Sequence, residues 1–260
     1  MNPREVLELL AAGQLTVEEA QARLSMAGIA AVGGFARLDT DRHARKGVPE
    51  VIYAAGKTAQ QLLEICETLM EHTGRAIACG LDSEQWSAIE AAFGDRIAVA
   101  NRDAKTAVVR KPGAPGAEPQ HTGGRLGIIS AGTADIPASE QARVVAEEMG
   151  CDVIAQYDVG IAGVHRLVEP LKEMVDSKVA AIIVAAGMEG ALPSVVAGLV
   201  PVPVIGLPTS TGYGLGGGGV AALMSMLQSC CPGLVVVNID NGVGAGATGA
   251  LIANRAASQQ

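Results

Sequence analysis

The chain has 260 residues, 49% of them hydrophobic but only 2% aromatic, with a formal net charge of −8 and a pI near 5.0. That length suits one large domain or two modest ones, with a core built from Ala, Val, Ile, Leu and Met. The acidic balance, without a basic stretch interleaved with aromatics, argues against nucleic acid as a partner, and no apolar run approaches the ~18 residues of a membrane helix.

MNPREVLELL carries acids and lacks a basic region followed by an apolar core, so it does not read as a secretory signal. Five cysteines without a CxxC pair fit a reduced, cytoplasmic setting. Residues 3–25 read as a helical hairpin, punctuated by Gly13, with Thr16 and Glu19 spaced as a capping box. Next, residues 34–58 alternate Arg37, Arg42, Arg45, Lys46 and Lys57 with Asp39, Asp41 and Glu50, between strand-like FARLD and VIYAA. This is either a solvated loop or an anion-binding surface. Ala55-Gly56-Lys57-Thr58 resembles the tail of a P-loop, but the Gly required five residues before Gly56 is Val51. Helix-like TAQQLLEICETLMEHTG, strand-like AIACGL, helix-like DSEQWSAIEAAFGD and strand-like RIAVANRD and AKTAVVRK complete a small mixed α/β domain over residues 1–111. Cys66 and Cys79 fit its core better than a metal site.

KPGAPGAEPQHTGG holds three prolines and four glycines without periodicity and reads as a linker over 112–124, with His121 solvated. From residue 125 to 260 five strand–helix units follow: RLGIISAG, CDVIAQYDV, VAAIIVAAG, VPVIGLPT and GLVVVNID, each with a helical segment after it. Runs of Val, Ile, Leu and Ala are strands buried on both faces, so the expected fold is a three-layer, doubly wound (flavodoxin-like) α/β domain.

Ligands of such sheets bind beyond the carboxyl ends of the strands, where the strand order reverses. For an order 2-1-3-4-5 that crevice receives Ser130, Thr133 and Asp135 from SAGTAD. Asp158, His165 and Arg166 come from the second loop, Glu189 from Gly187-Met188-Glu189-Gly190, and Ser210 from Thr209-Ser210-Thr211-Gly212-Tyr213. Small residues in SAGTAD let backbone N–H groups approach an anion. Asp135 is either a helix N-cap or a contact for ribose hydroxyls or a phosphate-bound cation. His165 is either a solvated surface residue or a ligand contact. Glu189, after a buried strand, is placed to pass a proton in a desolvated crevice. Gly212-x-Gly214-x-x-Gly217 and Gly244-x-Gly246-x-x-Gly249 match a dinucleotide fingerprint out of position, and both read as flexible or phosphate-approaching loops. Cys230 and Cys231 are either small buried residues or hold a thiolate nucleophile. A helix end lies at the edge opposite the crevice, so a nucleophilic Cys230 requires a neighbouring subunit.

SAGTADIP, YDVGIAGVHR, VAAGMEGALPS, VPVIGLPTSTGYG, SCCPGLVVVNIDNG and the earlier LDTDRHARKGVPEVIYAAGKT resemble the LarB family of nickel-pincer cofactor biosynthesis. VHR, AGMEGALP and VPVIGLP also resemble the PurE-type aminoimidazole ribonucleotide carboxylases. The resemblance implies carboxylation of the pyridinium ring of nicotinic acid adenine dinucleotide with CO2 or bicarbonate, and hydrolysis of its phosphoanhydride to release AMP. It implies Cys230 as nucleophile and Glu189 as acid/base. Thr133 and Asp135 would hold the nucleotide or its Mg2+ (with Asp135 the metal contact), His165 and Arg166 would lie near phosphates, and the Arg-rich loop near the ring carboxylate. A homo-oligomer with sites at subunit interfaces is expected, without a tightly bound organic cofactor. The chain departs from the family pattern at Cys231, where a small residue is more usual, and at Val243, where Phe is commoner; the first leaves open which cysteine attacks. Alternatives are a PurE-type carboxylase or mutase, for which Cys230 is dispensable, and a nucleotide-binding module without turnover.

Overall fold

The computed structural model describes residues 3–26 and 28–259. Helices α1 (Pro3–Ala11) and α2 (Val17–Met26) open the chain. The second begins where side chains satisfy free amides: the Glu19 N–H donates to Thr16 Oγ1 at 3.1 Å, and the Thr16 N–H to the Glu19 carboxylate at 2.9 Å. An antiparallel hairpin of β1 (Ile29–Val32) and β2 (Ala36–Asp39) follows. The four-residue β1 was not foreseen, and residues 42–46, read as loop, form the short helix α3 (Arg42–Lys46), ended by Gly47 at φ 72°.

Strand β3 (Val51–Tyr53), helix α4 (Ala59–Thr73), β4 (Arg75–Cys79), α5 (Ser83–Phe93), β5 (Ile97–Asn101) and β6 (Thr106–Arg110) build a mixed sheet in the order β3-β4-β6-β5. Reciprocal side-chain caps start both helices, Thr58 with Gln61 and Asp82 with Gln85. Leu62, Ile65, Cys66, Leu69 and Met70 recur at helical spacing and turn one face of α4 onto this sheet. Cys66 and Cys79 are core residues, and burial pushes their thiols up to about 12 and about 11.

The second half contains β7 (Arg125–Ser130), α6 (Ile136–Glu148), β8 (Asp152–Gln156), α7 (Val168–Asp176), β9 (Ala181–Ala186), α8 (Leu192–Ala197), β10 (Val204–Pro208), α9 (Val220–Leu227), β11 (Leu234–Val236) and α10 (Gly242–Ala257). Its five strands are all parallel, in the order β11-β10-β9-β7-β8. This is the anticipated doubly wound, flavodoxin-like α/β sheet, with β7 the first strand and the switch point between β7 and β9. Central β9 is buried throughout. One apolar layer joins the sheet to α6 and α10, the other to α7, α8 and α9.

The Gly244–Gly249 motif is not a loop but part of α10, whose N-cap Asn241 accepts from the Gly244 N–H. Its glycines serve packing: a Cβ on Gly246 would lie 2.4 Å from the Ala142 carbonyl oxygen of α6, and one on Gly242 2.5 Å from that of Ala138.

The two sheets are joined by buried charge. Arg75 Nε lies 3.2 Å from one Glu148 oxygen and Arg110 Nη2 donates to the other at 2.5 Å, with Glu148 only 2% exposed. Asn101 donates to Glu140 of α6 at 2.6 Å. The Pro/Gly-rich segment between them lies across both parts: Arg75 donates to the Gly116 carbonyl, Ala117 is buried, and the Thr122 N–H donates to Gly150 at 3.0 Å. Its His121 is exposed but paired with Asp152 at 2.9 Å.

Candidate active site

Beyond the carboxyl ends of β7, β8, β9 and β10 lies a crevice of about 540 Å3. After β7 the chain makes a tight turn over Thr133–Asp135, and the Asp135 side chain folds back into it. Asp135 is 4% exposed. Its Oδ2 accepts from the Gly132 N–H at 2.9 Å, and its Oδ1 from the hydroxyls of Thr209 and Thr211 at 2.5 and 2.6 Å. Asp135 therefore ties the first loop to the fourth instead of capping α6 through its side chain.

Gly187-Met188-Glu189-Gly190 is a second tight turn, closed by the Gly190 N–H on the Gly187 carbonyl and stapled to the fourth loop by the Met188 N–H on Thr211. Met188 takes φ 50°, a conformation costly for a side-chain-bearing residue. Gly187 permits the close approach, since a Cβ there would lie 2.1 Å from Thr211 Oγ1. The turn presents Glu189 to the crevice. On the far wall Asp158, also left-handed at φ 57°, receives two hydrogen bonds from Arg166 Nη1, at its carbonyl (2.5 Å) and its carboxylate (3.1 Å). The guanidinium is thus aimed at the site as its lining cation.

Thr133, Asp135, Arg166 and Glu189 accordingly share one crevice. Asp158 lines it as well, whereas Ser130, His165 and Ser210 do not. Ser130, the last residue of β7, is fully buried, and its hydroxyl accepts from the Asp158 N–H at 3.2 Å; it shapes the second loop from beneath. His165 is exposed outside the lining. Ser210 points to the opposite side of its loop, with its N–H on Asp240 at 2.9 Å, into a separate cavity. Glu189 is exposed, so the desolvation expected for it is absent in a single chain. The hydroxyls of Thr209 and Thr211 were not singled out, although three hydroxyl residues in a row after a buried strand were the signal for them.

Cys230 is exposed, three residues past α9. The adjacent Ser229 accepts from Ser194 of α8 at 2.8 Å, and the Gly233 carbonyl accepts from the Val204 N–H that starts β10. This is the amino edge of the sheet, opposite the crevice. The preceding helix is apolar on its outer face, where Val220, Met224 and Leu227 of α9 are 52–62% exposed, and at the crevice end Tyr213 and Leu215 are almost fully exposed.

A resident cation does not fit these residues. Among the described residues no three His, Cys, Asp or Glu side chains come together as a metal set, and Asp135 already accepts from three donors. Two arginines of the Arg-rich segment are likewise committed internally. Arg45 pairs with Asp39 at 2.5 Å and Arg42 with Glu50 at 3.0 Å, while the Arg45 hydrogen bond holds the Asp39 carboxyl below its usual range. A cavity of about 390 Å3 behind it, lined by His43, Glu50 and Arg75, contains none of the crevice residues. Among the described residues no helix is long and apolar enough to cross a membrane.

Residues 30–111 match the LarB/PurE-like N-terminal domain family and residues 125–260 match the AIR carboxylase family. The chain belongs to the LarB family, with a PurE-like C-terminal domain. A protein of Methanocaldococcus jannaschii without an assigned role is 40% identical over 97% of each chain. The N5-carboxyaminoimidazole ribonucleotide mutase of Thermotoga maritima is 33% identical over 49% of this chain and 74% of its own, and that of M. jannaschii 35% identical over 44% and 69%. These two similarities cover about half of the chain, whereas the N-terminal family match covers residues 30–111. LarB-like and PurE-like domains together support a carboxylase-type function.

Proposed function

We propose that this LarB-family protein carboxylates C5 of the pyridinium ring of nicotinic acid adenine dinucleotide and hydrolyses the phosphoanhydride, giving pyridinium-3,5-biscarboxylic acid mononucleotide and AMP. The observation that carries this reading is an exposed thiol, Cys230, beside an uncovered apolar helix face, in a chain whose crevice is of AIR carboxylase type. A pyridinium ring is electron-poor and does not attack CO2. Addition of the Cys230 thiolate at C4 dearomatises it to a dihydropyridine, in which C5 is the nucleophilic carbon of an enamine. C5 attacks CO2, Glu189 takes the C5 proton, and expulsion of the thiolate restores the aromatic ring. Separately, water cleaves the P–O–P linkage. Cys230 reaches the crevice from a neighbouring subunit whose α9 face covers the opening and desolvates Glu189. No step is assigned to a protein-held metal; Mg2+ would arrive with the phosphates of the substrate.

The test is mass spectrometry of small molecules and intact protein after incubation with the dinucleotide, Mg2+ and labelled bicarbonate. A labelled dicarboxylated mononucleotide with AMP is expected from the wild type and not from Cys230→Ala. Loss in Cys231→Ala with retention in Cys230→Ala would reassign the nucleophile. No product and no adduct would overturn the proposal. The similarity to the two ribonucleotide mutases favours as second reading an aminoimidazole ribonucleotide carboxylase or mutase. An aminoimidazole is already an enamine, so under that reading Cys230→Ala would keep full turnover.

A further inference from the structure

The separate cavity that receives Ser210 is walled on one side by a turn of the N-terminal domain. The turn between β5 and β6 brings Asp103, Ala104 and Lys105 opposite Pro137, Ala138 and Asp240 of the C-terminal domain, around about 370 Å3. It shares Ala134 and Thr211 with the main crevice, so the two are continuous around the opening of the SAGTAD turn. The placement of the turn is fixed. Asn101 accepts the Ala104 N–H at 3.0 Å while donating to Glu140 of α6, and Lys105 is held at φ 50° with its carbonyl accepting from the Leu81 N–H at 3.1 Å. Lys105 is exposed at the rim and forms no ion pair among the described residues. Asp240, also left-handed, uses one oxygen on the Ser210 N–H and leaves the other for a hydroxyl.

An apolar wall of Ala104, Pro137 and Ala138, carboxylates suited to a ribose diol, and an unpaired cation at the rim are the complement of a nucleoside carrying a phosphate. From this juxtaposition we infer that the interdomain cavity holds the adenosine half of the dinucleotide. In it Lys105 faces the diphosphate, and Asp103 and Asp240 accept from the ribose hydroxyls. This rests on the proposed substrate and gives the N-terminal domain a part in binding: it selects dinucleotide over mononucleotide.

Calorimetric titration of full-length wild type and Lys105→Ala with nicotinic acid adenine dinucleotide, nicotinic acid mononucleotide and AMP tests it. Loss of one charge-assisted contact is expected to weaken the dinucleotide about tenfold. AMP should weaken in parallel, and the mononucleotide should be unchanged. Asp103→Asn should also weaken AMP alone and dinucleotide together, which guards against a disturbed turn at Lys105. Equal weakening of all three ligands, or of none, would overturn the inference. If the wild type makes labelled product but neither variant changes dinucleotide binding, the cavity assignment falls and the synthase reading stands. If Lys105→Ala weakens the dinucleotide while the wild type yields no product, the reverse holds.

Discussion

The two helix layers on the C-terminal sheet are finished to different degrees. On the α6/α10 side, Gly242, Ala245, Gly246, Gly249, Ala250 and Ala253 are buried, the helices approach until a methyl group no longer fits, and the N-terminal domain is pinned to α6 through Glu140 and Glu148. On the other side, α9 faces outward with Val220, Met224 and Leu227, and the exposed Cys230 follows it. A single chain thus leaves its apolar surplus on the one layer that also carries its accessible thiol. Cys66, Cys79 and Cys151 make the same contrast in chemical terms, since burial pushes their thiols up to about 12, 11 and 11 and leaves them inert. The closed layer accounts for stability within the chain, and we attribute the open one to assembly of the site.

That contrast can be broken most directly on the open side. A charge placed in an apolar contact costs several kcal/mol unless it is paired, so Met224→Asp should dissociate the assembly and reduce carboxylation by about 100-fold, with Cys230 itself intact. Sedimentation beside the labelled-bicarbonate assay checks this. A wild type that sediments as an active single chain would make the α9 face ordinary surface and remove Cys230 from the reaction. On the closed side, Glu148→Ala leaves Arg75 a buried charge without a carboxylate partner, while the half-buried Arg110 keeps Glu118. Breaking such a pair typically costs about 3–5 kcal/mol, and urea unfolding should register it. A loss below about 1 kcal/mol would mean that the two domains are held chiefly by their apolar contacts.

Much of this division was legible from residue types. Unbroken Val, Ile, Leu and Ala runs marked all five strands of the parallel sheet, although the edge strands β8 and β11 are only partly buried, and the rule of ligand binding at their carboxyl ends anticipated that Thr133, Asp135, Asp158, Arg166 and Glu189 line one crevice. What failed was direction. Ser130 is the last residue of β7 and lies beneath the crevice, and Ser210 sits in the right loop but points behind it, because a place near a strand's carboxyl end does not by itself say which way the hydroxyl faces. Elements of four or five residues, β1 and α3, are too short for a period to emerge. The glycines of α10 read as loop because Gly costs a helix about 1 kcal/mol each; only the proximity of α6, a tertiary fact, explains them. Lys105 was invisible for the same reason, being far in sequence from everything it faces.

A finer distinction within the closed layer concerns pH. Burial of Glu140 by itself would raise its pKa, but hydrogen bonds from Arg143, Tyr157 and Asn101 outweigh it and hold the carboxyl below 4.5. Burial and this carboxylate in turn push Tyr157 upward, so the phenol stays a donor. A carboxyl depressed in the folded state contributes stability that is complete above its unfolded value and is lost as the pH falls through the folded one. Melting temperatures should therefore drop as acid is added below pH 4.5. Glu140→Gln, which keeps one acceptor but no charge, should be less stable near neutrality by about 1 kcal/mol and flatter on the acid side. Parallel acid profiles for the two proteins would show that the domain contact at Asn101 survives protonation. The hairpin turn carrying Lys105 would then be held by its backbone bonds to Arg102 and Leu81, not by the Glu140 charge.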